Sequence, residues 1–259
     1  MASETFLVND VDIEKINIGT VKTLSTGVKM AYVNFNGNSL RMQLPKMYLP
    51  YGLSDNRKFI DNEDNIKYWL NLSFADNDKI NTLKELIENI ENKVIDIAFE
   101  NCQEWFKKSY KSREFLEDKF TSSIIYSKDK ATGERNDKYP PTFKVNMRMN
   151  NGEIATKFYN NSRKEIDNIT EIKTQGSNII SIIHGMFWIS SSGFGISWKI
   201  DQGQIFLSGN NNGCIIKAVE GEQEEEEEDI DVSDLQINDT TNTNTNNTEV
   251  EDSDDDDDV

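Results

Sequence analysis

The sequence is short of the residues that most enzyme chemistry requires. Its 259 residues include one histidine and two cysteines. Cys102 and Cys214 lie far apart with no CxxC spacing, which excludes the usual zinc sites and fits buried thiols in a reducing compartment. With His184 alone inside the apolar run "IISIIHGMFWIS", neither a Cys–His nor a Ser–His nucleophile system has its parts. His184 itself reads as a satisfied core residue. No GxxxxGK[ST] loop or GxGxxG turn offers a phosphate cradle, so no cofactor and no catalytic activity are expected. No apolar run reaches the 18 residues of a membrane span, and "MASETFLVNDVDIEK" lacks the pattern of a signal peptide. The expectation is a soluble, intracellular protein without a membrane partner.

Basic residues are missing from one place only. The formal charge is −18, but 19 of the 46 acidic residues fall in 220–259, which holds no basic residue; the remaining 27 face all 28 basic residues in 1–219. The protein therefore reads as a near-neutral body, 1–219, joined to a polyanionic tail, 220–259. "EGEQEEEEEDIDVSD", "NDTTNTNTNNTEV" and "EDSDDDDDV" hold too few apolar residues to offset the entropy of ordering, so the tail is expected to be disordered.

The body is mostly short strands. "INIGTVKTL" (16–24), "KMAYVNF" (29–35) and "SLRMQL" (39–44) carry β-branched and aromatic residues between Gly/Asn turns, with "NGN" at 36–38 as a hairpin. "IKYWLNLSF" (66–74) alternates, and then the period changes. Ile80, Leu83, Ile87, Ile90, Val94 and Ile97 recur at three- and four-residue steps, an amphipathic helix from about Asn77 to about Lys108 within an insertion over about 77–118. After "KDKATGERNDKYPP", where two of the four prolines exclude a helix, strands resume. "TFKVNMRM", "NGE" and "IATKFYN" make a hairpin pattern, and "NIISIIHGMFWIS", "FGISWKI", "GQIFLS" and "GCIIKAV" follow. About ten strands around one helix imply a mostly-β barrel of one domain with a helical insertion.

Alternation divides each strand into two faces. The outward set combines cations with aromatics: Arg41, Lys67, Trp69, Lys144, Arg148, Lys157, Tyr159 and Lys199. The proline-bounded loop "PKMYLPYGLSDNRK" adds Lys46, Tyr48 and Tyr51 as a cap on the barrel or a further stacking arm. Such a surface tracks phosphates and stacks bases, each stacked base being worth about 1–3 kcal/mol whatever its identity. Trp188 and Trp198 are assigned to the core.

"KMYLPYGLS", "PPTFKVNMRMNNG" and "GMFWISSSGFGISWKI", followed by an acidic C-terminus, resemble the single-stranded-DNA-binding proteins of nucleocytoplasmic large DNA viruses, which are similar to the short-tailed-phage type. The resemblance implies an OB-fold-like barrel with extra strands and an inserted helix. It also implies a coat on template during viral DNA replication, recombination or repair, at a viral replication site in the host cytoplasm or nucleus, with a homodimer as a further expectation. In that family the tail competes with DNA and recruits replication proteins such as polymerase or helicase-primase. That role would fall to Asp254, Asp255, Asp256, Asp257, Asp258 and Val259, although the phage members end in an aromatic where this sequence has Val259. The competing reading is an acidic chaperone or scaffold for basic partners. The outward aromatics separate the two, because a binder of basic proteins has no use for Trp69 or Tyr159.

Overall fold

The computed structural model describes residues 4–60 and 66–207. The chain divides into two units, Met1–Asn212 and Gly213–Val259, and every described residue belongs to the first. The acidic tail, Cys214, the expected strand "GCIIKAV" and the boundary at 219 lie outside the described residues.

The main elements are β1 (Lys29–Phe35), β2 (Arg41–Gln43), β3 (Met47–Tyr48), β4 (Leu53–Asp55), β5 (Tyr68–Ser73), α1 (Asp78–Glu100), β6 (Thr142–Met147), β7 (Lys157–Tyr159), β8 (Asn178–Ile189) and β9 (Phe194–Phe206). Five of them close a ring. β3 pairs antiparallel with β5, β5 with β6, β8 with β9 and β8 with β3, while β6 and β9 run parallel. Numbered by sequence within the ring, the order is 1-2-3-5-4 and back to 1, with only the 3–5 pair parallel. This is the Greek-key barrel of the OB-fold. Additional strands flank it, and β8 is long enough to pair along one edge with β1, β2 and β3 in succession.

Local chemistry explains the turns. Asn36 (φ 51°) and Gly37 (φ 80°) make the tight connection out of β1, and Asn151 (φ 50°) and Gly152 (φ 83°) repeat it, as a two-residue loop with both φ positive requires. The second hairpin is only Met149–Asn150 against Glu153–Ile154. The expected continuation of that hairpin into "IATKFYN" does not occur; β7 instead runs parallel to β9. "INIGTVKTL" forms two short strands, Ile16–Ile18 and Lys22–Thr23, separated where the Gly19 N–H bonds to Tyr32.

The inserted helix starts as its cap dictates, the Asn77 side chain accepting the Lys79 N–H. It ends at Glu100, short of Lys108, where the Asn101 amide donates to the Ile97 carbonyl. Two single-turn helices, Cys102–Trp105 and Glu114–Glu117, fill the rest of the insertion. Leu83, Ile87, Ile90 and Val94 are buried, and Trp105 packs 5.0 Å from the Phe187 ring of β8. The helix is also tied down by a buried polar chain. Glu91 accepts bonds from Ser122 Oγ, Ser123 N and Ser123 Oγ, and the indole N–H of fully buried Trp198 donates to Ser123 Oγ. Burial, the largest influence, pushes the Glu91 carboxyl up, against the serine hydrogen bonds.

Candidate nucleic-acid interface

Register places the outward residues side by side. Trp69 on β5 pairs with Asn146 on β6, Asn146 with Lys199 on β9, Lys199 with His184 on β8, and His184 with Arg41 on β2. Their chain neighbours Leu70, Val145, Trp198, Ile183 and Met42 are all buried in the core, so alternation sends the row of five to the outer side of the barrel. The Lys144 ammonium stands 4.4 Å from the centre of the Trp69 ring, a cation–π contact that holds the indole in place.

The cations of this face repel one another. Burial lowers the Lys144 amine and Lys67 lowers it further; burial likewise lowers Lys199, with Arg148 and Lys67 adding to the effect. Among the described residues, Lys67, Lys144 and Lys199 form no ion pair, whereas Lys157 is held 3.0 Å from Glu165. Three unneutralised ammonium groups around an anchored tryptophan suit a polyanion with flat bases.

Arg41 and Arg148 are engaged differently. Asp201 lies two residues beyond Lys199 on β9, so alternation puts its carboxylate on the same outer face, and a bulge between Ile182 and Ile183 leaves it without a partner on β8. Asp201 is 7% exposed. His184 Nδ1 lies 3.1 Å from its Oδ1, Arg148 Nη1 lies 3.3 Å from the same oxygen, and Arg41 Nε lies 2.8 Å from Oδ2 without an aligned hydrogen bond. Burial by itself raises this carboxyl, but the His184 hydrogen bond and the charges of His184, Arg41 and Arg148 outweigh it and hold the group below its ordinary value.

The remaining candidates stand elsewhere. Tyr159 lines a separate cleft of ≈370 Å³ with Arg163 and Gln204. Lys46 sits 4.1 Å above the Phe206 ring. Exposed Tyr48 pairs with Ser73, four residues from Trp69 and so about 13 Å along the strand. Tyr51 projects from the loop before Gly52, whose φ is +69° and where a Cβ would come within 2.8 Å of Gln175 N, so no side chain fits.

Trp188 is a correction to the sequence reading. Its neighbours Phe187 and Ile189 are buried, so the indole lies on the outer face, half-exposed, in a cleft of ≈550 Å³ with Lys67 and Lys199. An unbroken apolar run hides which side of a strand meets solvent. Phe59, 84% exposed beside Arg57 and Lys58, was also missed, lying one residue past the loop singled out.

No protein-family model and no curated protein matches the chain. Among solved structures, the chain is similar to gp2.5, a single-stranded DNA-binding protein encoded by bacteriophage T7, at 10% identity and a TM-score of 0.42 over 65% of this chain and 86% of that one. It is also similar to the single-stranded DNA-binding protein from bacteriophage Enc34 in complex with ssDNA, at 11% identity and a TM-score of 0.38 over 74% and 94%. The C-terminal truncation of the Enc34 protein matches at 12% identity and a TM-score of 0.36, over 74% and 95%. The strand order of the barrel, read from its own hydrogen bonds, carries the fold assignment. Among the described residues, no cluster of His, Cys, Asp or Glu could hold a metal ion, and no helix is long and apolar enough to cross a membrane.

Proposed function

We propose that this chain is a non-catalytic single-stranded-DNA-binding protein, and that strand binding runs over the outer face of β5, β6 and β9. The observation that carries the reading is Trp69, anchored under Lys144, beside Lys67 and Lys199, with no carboxylate among the described residues neutralising the three amines. In an OB-fold this strand 2–3 face is the surface that meets oligonucleotides. The proposal extends to a template coat during replication, recombination or repair of a large DNA virus, with the acidic tail competing for the same face and recruiting replication proteins.

Quenching of tryptophan fluorescence by oligo-dT, with duplex as control, tests it. Three cations neutralising three phosphates give a log–log salt slope of roughly −2, at about −0.7 per phosphate on a single strand. Trp69→Ala should weaken binding by about 1–3 kcal/mol, roughly fivefold to 150-fold, with little change in melting temperature. Equal affinity for duplex, or no salt dependence, overturns the reading.

A further inference from the structure

Trp188, Met30 and Met149 present apolar walls in the ≈550 Å³ cleft, and Lys67, Lys199 and Asn146 line it as well. The Trp188 ring lies against the backbone of Gly195, where a Cβ would come within 3.2 Å of the indole. That close approach fixes the ring while leaving it half-exposed to the cleft. The Asn146 amide nitrogen is used, donating to Ser197 Oγ at 3.1 Å and the Trp198 carbonyl at 3.3 Å. Its Oδ1 accepts no hydrogen bond among the described residues. Lys67 and Lys199 form no ion pair among the described residues.

We propose that this cleft is a second nucleobase site, in which Trp188 stacks a base while Lys67 and Lys199 hold the adjoining phosphates. The inference rests on the single-strand reading and deepens it. An occupant that satisfies the cleft must be flat and apolar on its faces, must carry negative charge beside the ring, and gains from an N–H directed at Asn146 Oδ1. A nucleotide unit of a strand meets all three conditions, and every base has an N–H on its pairing edge, so the site tolerates any sequence. Trp188 pairs with Gly195, whereas Trp69 stands in the row of Lys199 four residues further along β9, so the two indoles are offset by about 13 Å along the strand direction. Trp69 and Trp188 therefore stack different bases of one bound strand.

The test uses the full chain and an oligo-dT in which bromouracil replaces single thymines, irradiated and mapped by mass spectrometry. The expected result is adducts on the peptide containing Trp188 as well as on that containing Trp69. In parallel, Trp188→Leu, which keeps apolar bulk against Gly195 but removes the flat ring, should weaken binding fivefold to fiftyfold. Adducts on Trp69 with none on Trp188 overturn this site and leave the single-strand reading standing. Failure of the wild-type chain to bind the oligonucleotide overturns the reading, and the site with it. If Trp188→Leu fails to fold, the cross-linking pattern on the wild-type chain decides alone.

Discussion

Asp201 shows how one residue can set the charge of a surface. It is an acid among the cations of the outer face, two residues beyond Lys199 on β9, where the bulge leaves it unpaired with β8. Its carboxylate binds Arg41, Arg148 and His184, so these groups are less available to phosphate than Lys67, Lys144 and Lys199. Because the folded carboxyl titrates below its ordinary value, its stabilisation is fully present above the unfolded value of about 3.9 and is lost as pH falls through the folded value. Asp201→Asn should therefore lower the melting temperature at pH 7 and converge with wild type as pH falls through the folded carboxyl's depressed value. The loss expected at neutral pH is about 1.5–3 kcal/mol, that of a hydrogen bond to a charged group. Melts across pH 2.5–7 check it; a constant difference across that range would remove the carboxylate charge from the explanation.

At the scale of the element, helix α1 serves as a buttress whose attachment is polar as well as apolar. Glu91 is the one buried acid of the helix, and its carboxyl titrates above the ordinary range because burial outweighs the serine bonds. Its contribution is therefore present below the unfolded value of about 4.3 and is lost as pH rises through the folded value. Glu91→Gln keeps an acceptor for the Ser123 N–H and removes the buried charge. It should melt at or above wild type at pH 7–8 and lose that advantage near pH 4. Glu91→Leu strands the Ser123 N–H and should cost about 1–3 kcal/mol. Thermal melts of both variants at the two pH values decide whether the chain from Glu91 to Trp198 is a structural tie. The long β8–β9 hairpin matters at the same scale, since it pairs with β1, β2, β3, β6 and β7 and so brings residues distant in sequence into one row.

For the whole molecule the governing fact is the separation of charge, with 19 acidic residues confined to 220–259 and a body of 28 basic against 27 acidic. On the proposed function, carboxylates joined to the body by the same chain would compete with DNA at an effective concentration of order mM. Deleting 220–259 should tighten oligo-dT binding, most at low salt, with the gain shrinking as the Debye length falls toward about 8 Å at physiological ionic strength. Titrations of full-length and truncated protein over a salt series check this. Superimposable curves would remove the tail from DNA competition.

The sequence by itself determined the strand-rich class, the helix from Asn77, the core position of Trp198 and the outward position of Trp69. Each follows from a local period or cap that a few neighbouring residues define. It did not reveal the side taken by Trp188, because "IISIIHGMFWIS" is apolar on both faces and only pairing with β1 and β9 shows which face meets solvent. Alternation alone puts Asp201 on the side of Lys199, but only strand pairing brings Arg41, His184 and Arg148 around its carboxylate. Of the cations expected on the outward faces, Lys67, Lys144 and Lys199 lie together without ion pairs among the described residues, while Lys157 is held by Glu165. Alternation gives a residue's side of its own strand, but only barrel closure, a long-range pairing of β3, β5, β6, β8 and β9, decides which strands stand next to one another.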